Sequence, residues 1–145
     1  MANDTYALLT EPQRGIAAWR AAFAAGDGPA LRPLLADNII YHSPGVASPV
    51  AGRDAAVTVL AAVRGVLEDF REGRTFVGGP CEACLEFSAT FRKAPLKGVS
   101  LLRFTEQGLV AEVEVLLRPM PTTIRLADAI GDQIGPALLD IKLGS

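Results

Sequence analysis

The chain has 145 residues, 50% of them hydrophobic and 21% charged, with 14 Lys and Arg set against 16 Asp and Glu for a formal net charge of −2. That length fits one domain with a substantial core, spanning residues 1–145, and is too short for two independent ones. The cations are scattered and interleaved with acids, which excludes the basic footprint of a nucleic-acid binder or a membrane-surface patch, and no apolar run reaches the roughly 18 residues that a membrane span needs.

The first residues, MANDTYALLTEPQ, carry Asp4 and Glu11 and lack both a basic start and a long apolar run, so no secretory signal is expected and a soluble, cytoplasmic protein is. Residues 12–25 read as a helix, because Ile16, Trp19 and Phe23 recur at spacings of three and four on one face. Gly26 supplies its stop. Asp27 is placed to cap a short second helix, with Pro29 in its first turn and Leu31, Leu34 and Leu35 turned inward. Residues 38–43 then form a short apolar strand that Pro44 and Gly45 end. A third helix is expected from a cap at Asp54, with Val59, Leu60, Val63, Val66 and Leu67 as its apolar stripe and Gly65 weakening its end.

From Asp69 onward the period changes. Residues 70–77, 81–92, 96–105 and 109–118 read as strands, punctuated by Gly78-Gly79-Pro80, Ala94-Pro95 and Gln107-Gly108. Four strands without intervening helices predict an antiparallel meander, and helices first with sheet second is α+β. Ala83, Leu85, Phe87, Ala89 and Phe91 alternate with polar neighbours, as do Ala111, Val113, Val115 and Leu117. After Pro119-Met120-Pro121, the residues Ile124, Ala127, Ile130, Ile134, Leu138 and Ile141 recur at helical spacing. Gly131 and Gly135-Pro136 interrupt them, so a bent or split helix over about 121–143 is expected, packed on the body, on a second subunit or as a lid.

Several words of this text are carried in a definite order: AGD at 25–27, LLADN at 34–38, HSP at 42–44, GRDAA at 52–56, and SLLRF followed by EQG within 100–108. In order and spacing they resemble the SnoaL-like branch of the nuclear transport factor 2-like superfamily over roughly residues 12–118. The resemblance implies a cone of curved antiparallel sheet wrapped around helices, an apolar pocket inside, and a homodimer formed through the sheet. It also implies a group that spans ketosteroid isomerases, polyketide cyclases, epoxide hydrolases and binding proteins, so activity must be read from the site.

His42 is the one side chain with an ordinary pKa near neutrality, which makes it the candidate acid or base. Alternation sets it on the face opposite Tyr41 and Ser43. The ketosteroid isomerase pattern places an aspartate base before the proline that follows this strand, a tyrosine on the first helix and a protonated aspartate on a later strand. The corresponding positions here hold Ser43, Trp19 and Ser100, so isomerisation by that mechanism is not expected. Glu82, Glu86, Glu112 and Glu114 are the acids available to a cyclase or hydrolase, either as a raised-pKa pair across strands or as surface groups balanced by arginines. The pocket wall implied by the resemblance is Trp19, Phe23, Tyr41, Leu102 and Phe104, with Ser43 and Ser100 orienting a ligand.

Cys81 and Cys84 sit in strand text and read as reduced thiols, with no further Cys or His pair to complete a zinc site. Glycine-rich phosphate loops and a G-x-S-x-G elbow are missing, so neither a cofactor nor a metal is expected. Three readings stand at this point: a binder of a small apolar molecule, an isomerase, cyclase or hydrolase using His42 with a strand glutamate, and a dimeric interaction module.

Overall fold

The computed structural model describes residues 10–26, 28–44 and 47–143, with side chains as far as residue 135. Helix α1 (Glu11–Ala25) begins with a capping box: the Thr10 hydroxyl accepts from the Gln13 amide at 3.2 Å and the Gln13 side chain accepts from the Thr10 amide at 2.8 Å. It ends where Gly26 takes a left-handed conformation, φ 74°. A 3₁₀ helix (Pro29–Leu34) leads into β1 (Leu35–His42) and the two-residue β2 (Val50–Ala51). Helix α2 (Arg53–Val66) follows, then the meander β3 (Glu68–Gly78), β4 (Glu82–Phe91), β5 (Ala94–Phe104) and β6 (Val110–Arg118), and finally α3 (Met120–Leu143).

The six strands form one curved, unclosed sheet in the order β2-β1-β6-β5-β4-β3. Every neighbouring pair is antiparallel except β1 and β6, which run parallel with Tyr41 opposite Val113 and His42 opposite Glu114. The inner face packs on α1 and α2 through Leu85, Phe87, Phe91, Leu102, Phe104, Val113 and Val115. Trp19, Phe23, Phe70 and Phe87 form a chain of rings with centroids 5.2 to 5.6 Å apart. Arg64 of α2 lies over the Phe70 ring at 4.5 Å and donates to the carbonyls of Phe23 at 2.6 Å and Ala24 at 3.2 Å, which closes the end of α1. Helix α1 meets the β5–β6 turn so closely that a Cβ on Gly15 would stand 2.2 Å from the Gly108 carbonyl oxygen.

The α+β class, the meander and the inward faces of α1 and β4 are as the sequence indicates. Four details differ. Helix α2 starts two residues early, with Gly52 at φ 93° as its cap and no side-chain bond, so Asp54 sits in the first turn and pairs with Arg32 at 2.5 Å. Val110 is buried although alternation sets it outside, because the register shifts between Arg103 and Phe104 and brings it opposite Phe104. Helix α3 runs unbroken past Gly131 and Gly135-Pro136. Its buried stripe is Leu126, Ile130 and Ile134, at spacings of four, whereas Ile124 is exposed. The cap expected of Asp27, and the side chains of Leu138 and Ile141, lie outside the described residues.

Candidate functional site

β1 carries polar groups to both sides of the sheet at the point where it ends. On the inner side, Tyr41 is fully buried, and among the described residues its hydroxyl has no hydrogen-bond partner of ordinary geometry. Burial pushes this phenol up to about 12, eased slightly by the neighbouring Ser43 side chain. Ser43 in turn lines an apolar crevice of about 50 Å³ roofed by α3, together with Pro44, Val63, Leu117, Thr123, Leu126, Ala127, Ile130, Gly131 and Ile134. Among the described residues no charged side chain faces that space.

Trp19, Phe23 and Ser100 come together elsewhere, around a crevice of about 20 Å³ at the β3–β4 end of the core, with Arg20, Glu72, Phe70 and Glu86 among its other walls. The Arg20–Glu72 ion pair, at 3.3 Å, lies between α1 and β3. Leu102 and Phe104 are buried in the hydrocarbon core. The single pocket implied by the resemblance is thus divided. The three positions that an isomerase would bring around one substrate face two crevices, with Ser43 on one and Trp19 and Ser100 on the other.

On the outer side, His42 Nε2 lies 3.2 Å from Glu112 Oε2, each side chain about one third exposed, and Arg103 bonds the other Glu112 oxygen. The His42 hydrogen bond, reinforced by Arg103, holds the Glu112 carboxyl below the usual range against the opposing effect of burial. Glu86 is tied to Arg74 at 2.7 Å and to Lys97 at 3.6 Å. Arg74 pulls its carboxyl down to about 2, chiefly through the side-chain hydrogen bond. A raised-pKa carboxyl pair therefore does not form at Glu86 and Glu112; both are stabilised as anions by cationic or donor neighbours. An open groove of about 460 Å³ runs along this face beside Phe76, Glu82, Cys84, Leu101, Arg103, Glu112 and Glu114. Cys81 and Cys84 are free thiols, the first in the turn before β4 and the second within it. Among the described residues no group of three or more His, Cys, Asp or Glu is placed to hold a metal, and no helix is long and apolar enough to cross a membrane.

Sequence reasoning missed Val63, Leu117, Leu126 and Ile130 as crevice walls. The four-residue spacing of Leu126, Ile130 and Ile134 was the available signal.

Helices cupped by a curved, unclosed mixed sheet define the cystatin-like, nuclear transport factor 2-like class. Residues 16–113 match the SnoaL-like domain model, and the chain belongs to that family. It is similar to the crystal structure of a steroid delta-isomerase from Pseudomonas aeruginosa, with 29% identity over 91% of this chain and 97% of that one and a TM-score of 0.83. It is also similar to an uncharacterized bacterial protein with a cystatin-like fold from Silicibacter pomeroyi, with 30% identity over 88% and 90% and a TM-score of 0.81. A de novo designed protein with a curved β-sheet shares the fold at 8% identity, covering 85% of this chain and 96% of that one with a TM-score of 0.69. No curated protein matches the chain.

Proposed function

We propose that this domain binds a small, mostly apolar and uncharged molecule beneath α3, oriented by Ser43 with the Tyr41 hydroxyl behind it. The Tyr41 hydroxyl carries the reading: it is fully buried, has among the described residues only an imperfect contact with Ser43, and that serine faces an apolar crevice. Leaving such a group unpaired costs about 1–3 kcal/mol, and phenylalanine would fill the same space without that cost. A ligand oxygen at Ser43 would complete the polar pair. An ionised ligand would meet no counter-charge there. The Pseudomonas neighbour is named a steroid delta-isomerase; isomerisation by the ketosteroid isomerase pattern is not part of the reading, because Ser43, Trp19 and Ser100 supply neither the aspartate base nor the tyrosine and aspartate donors of that pattern. His42 stands on the far face, engaged by Glu112, and is left out of the site as well.

The test is a titration with prodan, a neutral fluorophore that carries one ketone. Saturable binding is expected, weakened about tenfold by Ser43→Ala or Tyr41→Phe, the loss that one net hydrogen bond gives. Affinity unchanged by both substitutions, or no binding, overturns the proposal.

The proposed partner at the outer face is a second copy of the chain. Phe76, Leu101 and Leu116 are exposed there. The acids Glu82 and Glu112 flank Arg103 at one end of β4–β6 and leave it acidic on balance, and Lys97 and Arg118 lie opposite each other at the other. Two-fold apposition sets the acidic end of each copy on the basic end of its mate. Sedimentation that gives a monomer at micromolar concentration refutes it.

A further inference from the structure

Resting on the binding reading above, we infer that α3 is a displaceable cover which occupies the ligand's space until a ligand lifts it. The crevice of about 50 Å³ is far below the roughly 300 Å³ at which small-molecule pockets begin, so a ligand enters only if one wall withdraws. Six of its ten lining residues belong to α3, from Thr123 to Ile134. Two of the remaining walls cannot withdraw cheaply: Leu117 is held in the β5–β6 ladder, and Val63 sits in α2, packed against the core.

Helix α3 is attached differently. Among the described residues no hydrogen bond or ion pair joins it to the sheet or to α2; the Thr123 amide and hydroxyl reach only the Pro119 carbonyl, at its own first turn. Among the described residues its hold on the body is the apolar contact of Leu126, Ile130 and Ile134, which is non-directional and which an apolar ligand replaces in kind. The helix is also weak within itself. Gly131 and Gly135 lower its propensity, and Pro136 removes a backbone donor, so this stretch yields at small cost. The cover and the ligand therefore compete for one apolar surface, and the apparent affinity is the intrinsic one reduced by the fraction of molecules whose cover is lifted.

The experiment compares prodan binding to the full chain and to an Arg125→Gly/Asp128→Gly variant. Both positions are exposed and neither lines the crevice, so the change weakens the helix without enlarging the site. Apparent affinity is expected to rise about tenfold. In parallel, saturating prodan is expected to speed amide exchange in α3 of the unmodified chain while the sheet keeps its protection. Prodan that binds both chains equally, or binds the variant more weakly, or protects α3 overturns the cover and leaves the binding site standing. No binding to either chain overturns the binding reading and the cover with it. The exchange readout needs no variant, so a misfolded double mutant does not rescue the inference.

Discussion

Replacing Tyr41 by phenylalanine should make the domain more stable. The substitution keeps the ring, which is fully buried in the core, and deletes a hydroxyl that has no hydrogen-bond partner of ordinary geometry among the described residues. Removing an unpaired buried polar group recovers about 1–3 kcal/mol, and losing the imperfect interaction with Ser43 gives back about 0.5–1.5 kcal/mol, so the net gain is about 1 kcal/mol. For a domain of this size that raises Tm by roughly 2–4 °C. A second signature lies at high pH. The Tyr41 pKa is raised in the folded state from 10.0 to about 12, so its contribution is complete below pH 10 and is lost as pH climbs toward 12. That window corresponds to roughly 3 kcal/mol, and the phenylalanine variant should lack this part of the alkaline slope. Urea unfolding from pH 7 to 11.5 on both chains measures both effects. A loss of 1 kcal/mol or more at pH 7 would refute the reasoning, because it would mean that the hydroxyl is well bonded in the folded protein, and the argument for a ligand at Ser43 would lose its basis.

Two further substitutions test the rest of the description. Because the Glu86 carboxyl is lowered to about 2, its contribution is present above its ordinary value near 4.5 and is lost as pH falls toward 2; Glu86→Gln should therefore flatten the acid limb of a Tm-against-pH curve, and an unchanged limb would contradict the Arg74 pairing. Arg64→Ala strips the carbonyls of Phe23 and Ala24 of their donor and should lower stability by about 1–3 kcal/mol in a denaturant titration, with Arg64→Lys recovering little because a point charge cannot reproduce the guanidinium fork; full rescue by lysine would contradict this role.

How far the chain could be read in advance follows from the range of each interaction. The face of α1 is written in Ile16, Trp19 and Phe23, and that of β4 in Ala83, Leu85 and Phe87, because one period of a helix or strand lies within a few residues. Gly26 announces its left-handed turn for the same local reason. The parallel match of β1 to β6, and the His42–Glu112 contact across it, join residues 70 apart, and no local pattern encodes them. Val110 defeats alternation through a bulge, which shifts one residue without a compositional mark. In α3 the expected stripe shares Ile130 and Ile134 with the buried one, but packing against α2 and the inner sheet took Leu126 in place of Ile124. The division of the interior into two crevices depends on how whole side chains fill space, with an indole at position 19 where the resemblance would place a phenol, and that is a property of the assembled core.

The placement of β1 between β2 and β6 also governs how the molecule comes together. Its other neighbour among the described residues, β2, offers two residues of pairing, so β1 waits for a segment some 70 positions downstream before its ladder closes. β3 to β6 zip through neighbouring hairpins, a cheap succession of short loop closures. On a ribosome the amino-terminal third is thus made first and locked last. Residues 35–42 spend that interval with open edges and an apolar flank, which makes them the stretch where a chaperone, or a stray copy of the same strand, finds its opportunity.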